Sequence, residues 1–241
     1  MLVAFYSDVH SNLEALTAVL DDMGRHRPDQ ILFGGDAVGY GPNPNECLER
    51  IFAVSHAMVA GNHDHAAADL FDSALFNPFA RDAILWTRSV LTPENRRRIA
   101  SMPLTASTKE VFVVHGSPEA PGDWDYLHSA ADAAHQFEFF TEKLCVVGHT
   151  HRPAIYMKDG EKIVKGPESM LTFEERFRYI VNVGSVGQPR DGNRDALYAL
   201  YETGERTLSF HRVAYDYRAT QEKMRAAHLP SFLIDRLESG T

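Results

Sequence analysis

Leu2-Val3-Ala4-Phe5-Tyr6-Ser7-Asp8-Val9-His10-Ser11-Asn12-Leu13-Glu14 is an apolar run that ends on a carboxylate and an imidazole and then opens a helix. An unbroken apolar run of this length reads as a strand buried on both faces. Asp8 and His10 are two residues apart, so in extended chain they point to the same side. Ser11 and Glu14 have capping-box spacing. The stripe Leu13, Leu16, Val19, Leu20 and Met23 predicts the helix that follows, with Gly24 as its expected stop.

The same event recurs along the chain. Ile31-Leu32-Phe33 runs into Gly34-Gly35-Asp36, and Ala57–Ala60 into Gly61-Asn62-His63. Val111–Val114 runs into His115, and Leu144–Val147 into Gly148-His149-Thr150-His151. Helical patterns lie between these runs, over 78–101 (split in two by Pro93) and 129–140. Alternating β and α predicts a doubly wound sheet whose strand ends carry the site. The second half reads differently. Strands are expected at Ala154–Lys158, Glu161–Lys165, Tyr179–Val183, Ala196–Glu202 and Arg206–Val213, with an Asp159-Gly160 hairpin turn and a mostly antiparallel second sheet. A helical tail over 216–239, interrupted by Pro230, closes the chain. The polar strand ends span residues 8 to 151, so residues 1–241 are read as one domain.

Composition narrows the function. The 241 residues include 24 Lys+Arg and 33 Asp+Glu, so the formal charge is 24 − 33 = −9, and there are 12 histidines. That acidic balance argues against an extended nucleic-acid surface, which needs clustered basic residues. No apolar run suits a membrane span, and the first residues read as a strand rather than a signal peptide. Cys47 and Cys145 are the only cysteines. They are too few for a disulfide framework, which points to a reducing, cytoplasmic setting. Oligomeric state is not legible.

Asp8, His10, Asp36, Asn62, His115, His149 and His151 together offer two carboxylates, one amide oxygen and four imidazoles. Mixed N/O donors without thiolate suit Mn, Fe, Zn or Co. Seven donors exceed what one tetrahedral ion takes, and they suit two adjacent ions if a carboxylate bridges. Such pairs are built for in-line displacement at phosphorus.

Asp8-x-His10, Gly35-Asp36, Gly61-Asn62-His63-Asp64, His115 and Gly148-His149-Thr150-His151 resemble, in order and form, the motifs of the calcineurin-like metallophosphoesterase superfamily, over roughly residues 1–191. Val183-Gly184-Ser185-Val186-Gly187-Gln188-Pro189-Arg190 resembles a segment of its small bacterial and archaeal phosphodiesterase branch. The resemblance implies a two-sheet α/β sandwich flanked by helices, and the strand pattern of the second half makes the second sheet the more antiparallel one. It implies that Asp8, His10 and His151 bind one divalent ion and that Asn62, His115 and His149 bind the other. Asp36 would bridge the two. A hydroxide between the ions would attack phosphorus, and His63 would protonate the leaving oxygen. Manganese is the expected metal, with Fe, Zn, Co or Ni as alternatives. The expected partner is a small or nucleotide-like phosphate diester. The alternatives are a phosphomonoester, a phosphoprotein or a dinucleoside polyphosphate handled by the same site, or a non-catalytic scaffold.

The chain departs from the phosphatase pattern at Gly39 and Tyr40, where those enzymes carry an Asp that supports the acid histidine and an Arg that contacts phosphate. Orientation of His63 is therefore expected from Asp64 or a backbone carbonyl. Phosphate contacts are expected from the ions and from Asn12, Tyr40 or Arg190. Trp124 and Tyr126 are weighed as a base-stacking pair, with packing of their own loop preferred.

Overall fold

A computed structural model describes all residues, Met1–Thr241. In chain order, β1 (Leu2–Tyr6), α1 (Leu13–His26), β2 (Gln30–Phe33), α2 (Pro44–Val54), β3 (Ala57–Met58) and α3 (Asn62–Ala67) come first. The helices α4 (Pro78–Val90) and α5 (Pro93–Ala100) follow, then β4 (Thr105–Ser107), β5 (Val111–Val114), α6 (Ala130–Gln136) and β6 (Leu144–Val147). The second half contains β7 (Pro153–Asp159), β8 (Lys162–Lys165), β9 (Met170–Thr172), β10 (Arg178–Val183), β11 (Ala196–Glu202) and β12 (Thr207–Val213). Two helices, α7 (Tyr217–Ala226) and α8 (Ser231–Ser239), end the chain.

The strands form two six-stranded sheets, ordered β3-β2-β1-β11-β12-β9 and β4-β5-β6-β10-β7-β8. The expected two-sheet sandwich is what is seen, with one correction. Antiparallel pairing is not concentrated in the second sheet. Each sheet has a parallel trio (β1, β2, β3 and β5, β6, β10) extended by antiparallel neighbours. Strands from the second half of the chain complete both sheets, because β11 inserts beside β1 and β10 beside β6.

The period of two along each buried strand decides which layer a side chain joins. Val3 and Phe5 face the second sheet and pack with Val111, Val113, Leu144, Val146 and Val181. Ala4 and Tyr6 face the other way, onto Leu16, Val19 and Met23 of α1 and Cys47, Leu48 and Ile51 of α2. In the second sheet Cys145 and Val147 turn outward to Ala133 and Phe137 in and beside α6. Both cysteines are buried and free, behaving as small apolar side chains. No helix is long and apolar enough to cross a membrane.

Local differences from the sequence reading have physical causes. The cap of α1 is Asn12, not Ser11: its Oδ1 accepts from Ala15 N at 3.1 Å. Glu14 is drawn instead to Thr220 and Lys223 of α7. Gly24 does not stop the helix, which runs on to His26 and ends at Arg27 in the left-handed region (φ 52°). The split of 78–101 at Pro93 and the break of the tail at Pro230 are both present. α6 is shorter than the expected 129–140.

Candidate metal centre and substrate cleft

The C-terminal ends of the two parallel trios meet, and their loops are zipped together by backbone hydrogen bonds. Asp8 N donates to Gly35 O (2.9 Å), His10 N to Asp36 O (3.0 Å) and Gly148 N to His115 O (3.0 Å). The loop after β10 straps this junction: Val186 N donates to Ser7 O, Gly187 N to Asp8 O, and Ser185 Oγ to Asp8 O. A Cβ on Gly187 would sit 1.8 Å from the Val9 carbonyl oxygen, so only glycine lets the strap close.

Asp8, His10, Asp36, His149 and His151 all have positive φ, between 48° and 67°. Non-glycine residues rarely adopt this backbone, and it persists only where the surroundings over-determine it. Here each strand ends abruptly and its last polar side chain turns inward.

The structure brings all seven expected donor residues together, and all are buried. Asp8, His10 and His151 form one group and Asp36, His115 and His149 another, with donor atoms within 4.8 Å of one another in each. Asp36 also stands beside the first group, its Oδ2 lying 3.6 Å from His10 Nε2 and 3.2 Å from His115 Nε2. That is the position a bridging carboxylate needs.

Donor chemistry tests whether these residues fit metal ions. Asp36 Oδ2, Asn62 Oδ1, His115 Nε2 and His149 Nε2 are buried and have no hydrogen-bond partner. Such atoms are costly unless something pairs with them. His10 Nδ1 donates to the Val38 carbonyl (3.1 Å) and His151 Nδ1 to that of Gln188 (2.6 Å). Both Nε2 atoms therefore carry lone pairs, and they face each other at 3.0 Å. Two lone pairs at that distance repel, and a cation between them removes the conflict. Backbone carbonyls that fix a histidine's tautomer are characteristic supports of metal sites. The residues fit two divalent ions.

Burial lowers the pKa of His10 and His151, and it takes His149 down to about 3 and His63 to about 4, so these rings are neutral at pH 7. His115 goes the other way: burial opposes its charge, but Asp36 and Asp8 outweigh this and raise it to about 9. Burial raises Asp8 to about 7, whereas the imidazoles of His115 and His63 overcome burial at Asp36 and lower it.

His63 borders a cleft of about 320 Å³ beside the cluster. Asp64 does not orient it. The Asp64 carboxylate accepts from Val38 N (3.1 Å) and Gly61 N (3.1 Å) and serves the backbone. The His63 ring is held by packing: Tyr40 lies at 4.4 Å between centroids, Phe76 at 4.7 Å and His10 at 4.8 Å. Its backbone N–H donates to Asp36 Oδ1 (2.9 Å). A Cβ on Gly39 would lie 2.5 Å from His63 Nδ1, so the glycine that replaces the phosphatases' Asp makes room for the ring. With Nδ1 turned toward Gly39, Nε2 is the nitrogen left to face the cleft.

The three expected substrate contacts divide. Tyr40 and Arg190 line the cleft, and an Arg190 Nη2–H donates to the Tyr40 hydroxyl (3.3 Å). Asn12 does not line it. Its amide is spent on capping α1, on the Gly187 carbonyl (2.9 Å) and on Tyr215 and Thr220. Trp124 and Tyr126 both line the cleft: Trp124 is buried against His65 and Phe71, whereas the half-exposed Tyr126 stacks on His149 at 3.9 Å and on His128 at 5.1 Å. Sequence reasoning missed Phe232, Leu233 and Arg236 of α8, which reach the cleft from the tail. An apolar side made by Phe71, Leu75 and Phe76 was missed too.

Residues 1–206 match the calcineurin-like phosphoesterase superfamily domain. The chain belongs to that superfamily. The uncharacterized protein MJ0912 of Methanocaldococcus jannaschii is 36% identical over 244 residues, covering 99% of this chain and 98% of that protein. The crystal structure of a metallophosphoesterase from Sphaerobacter thermophilus matches with a TM-score of 0.89 at 41% identity, over 100% of this chain and 99% of that chain. The hypothetical protein PH1004 of Pyrococcus horikoshii OT3 shares the fold, with a TM-score of 0.82 at 20% identity over 100% and 98% of the two chains.

Proposed function

We propose that this protein is a dinuclear, manganese-preferring phosphodiesterase acting on a small or nucleotide-like diester. The observation that carries the reading is the set of buried, unpartnered donor atoms on Asp36, Asn62, His115 and His149, directly beside an imidazole that borders an open cleft. Asp8, His10 and His151 would hold one ion, Asn62, His115 and His149 the other, and Asp36 both. Two such ions supply Lewis acidity and lower the pKa of water.

The chain's own groups supply the rest. Arg190 places a guanidinium at Tyr40, where the phosphatases carry their arginine, and so offers charge to a phosphate in the cleft. His63 is neutral as it stands, held down by burial. A phosphate anion beside Nε2 favours the imidazolium, so the substrate itself raises the pKa of the group that donates to the leaving oxygen. The apolar side formed by Phe71, Leu75, Phe76 and Phe232 suits the alcohol portion of an ester. Turnover of an activated diester and an activated monoester, compared with added Mn, tests the reading. Faster diester hydrolysis is expected, and faster monoester hydrolysis would reject it.

A further inference from the structure

A second cavity of about 630 Å³ adjoins the cleft. Arg190 and Arg236 line both, so the two cavities share a border of two arginines. The other charged residues around it are Arg152, Lys165, Glu168 and Asp191. Both carboxylates are already committed: Glu168 pairs with Lys165 at 2.6 Å, and Asp191 pairs with Arg212.

No Asp or Glu side chain serves the three arginines. Arg152 Nε donates to the Arg190 carbonyl (2.8 Å). Arg190 Nη2 donates to Gln188 Oε1 (2.9 Å) and to the Tyr40 hydroxyl, and its Nε is buried with no partner. Arg236 Nε donates to the Thr241 oxygen. Burial, with the nearby charge of Arg190, pushes the pKa of Arg236 down to about 10. At Arg190 and Arg236, like charges drawn together and partly desolvated are unfavourable until an anion joins them. In a chain of net charge −9, a cavity whose two side-chain carboxylates pair with Lys165 and Arg212, and whose three arginines pair with neither, is a local reversal of sign. Guanidinium groups match phosphate in geometry as well as charge.

We propose that this groove is an anion subsite, and that the substrate is a phosphodiester carrying a second phosphate, which seats among Arg152, Arg190 and Arg236 while the scissile phosphate lies at the metal centre. The inference rests on the phosphodiesterase reading above and narrows its substrate class. The test uses the full chain loaded with Mn and a matched pair of substrates: the p-nitrophenyl ester of a nucleoside monophosphate, with and without a second phosphate on its ribose. The second phosphate is expected to raise kcat/KM by about tenfold or more, mostly through KM, as a charge-assisted contact should. Arg152→Ala and Arg236→Ala should each shrink that preference severalfold, and Arg152→Lys should retain most of it. Arg152 is exposed, so its replacement leaves the core alone. Equal turnover of the two substrates, or a preference unchanged in both alanine variants, overturns the subsite and leaves the phosphodiesterase reading standing. Turnover of neither substrate overturns both.

Discussion

Two clusters in this molecule have the same kinds of side chain at similar spacing. One is the buried centre at the strand ends. The other, on the outer side of α1 and on β12, joins Asp22, His26 and His211, again with donor atoms within 4.8 Å. The contrast lies in what each atom already has. In the outer cluster the Tyr198 hydroxyl donates to Asp22 Oδ2 (2.8 Å), Ser209 Oγ pairs with His211 Nε2 (2.9 Å), and the His26 side chain is 39% exposed to water. In the inner cluster Asp36 Oδ2, Asn62 Oδ1, His115 Nε2 and His149 Nε2 are buried without a hydrogen-bond partner. Residue type and proximity do not make a metal site. A cluster of buried carboxylate, amide and imidazole acceptors left without hydrogen bonds fits a cation, which would offset their cost.

The comparison can be broken most severely at Asp36. Asp36→Asn removes the charge shared by both halves of the centre and should lower metal content, measured by elemental analysis, at both positions. Activity should fall well beyond the ~10–100-fold typical of losing a mere supporting group. Full occupancy of two ions in that variant would contradict the bridging role. His63→Ala comes next: if the ring serves proton transfer and not ligation, as proposed, kcat should fall by ~10²–10⁴-fold with metal content unchanged, although His63 also stands within 4.8 Å of donor atoms of His10 and Asp36. Unaltered turnover would remove it as the acid.

A subtler measurement follows protons. His115, raised to about 9, and Asp8, raised to about 7, hold protons in the metal-free protein at pH 7 that the ions must displace. Metal titration by calorimetry in buffers of different ionisation enthalpy should show release of about one proton or more at pH 7, vanishing above about pH 9. The sign carries over to stability. Relative to an unfolded histidine near 6.5, His115 stabilises the metal-free fold fully below that pH, and the contribution is lost as pH rises through about 9. The smallest effect belongs to the outer cluster. His26→Ala should leave metal content unchanged and stability within about 0.5 kcal/mol, as for an ordinary surface position. Loss of an ion there would collapse the distinction drawn between the two clusters.

The inner centre was legible because each donor ends a buried apolar run, and strands of an open α/β sheet deliver such ends to one place. The same runs gave the α/β class but pointed to a doubly wound sheet; the two-sheet sandwich that is present followed from the resemblance to the superfamily. The rest was hidden for specific reasons. Ser11 and Asn12 are both good caps, and only the tertiary contacts of Asn12 with Gly187 and Thr220 decide between them. Ser11 Oγ is left buried and unpaired. Strands β4 and β9 are only three residues long, too short to show a period. The cleft residues of α8 follow the same spacing as any amphipathic helix, so nothing local distinguishes Phe232 or Arg236 from core and surface positions. Asp64, adjacent to His63 in sequence, was a natural guess for its support, but in a helix successive side chains diverge by about 100°.

The strap after β10 sets the order in which the protein is made and completed. The donors come from residues 8 to 151, and the hydrogen bonds that hold the Asp8 turn in its unusual backbone come from residues 185–187. A chain still being synthesised has Asp8, His10 and Asp36 long before it has the strap, and contacts this distant in sequence form late. The centre therefore takes shape only after about four-fifths of the chain has left the ribosome.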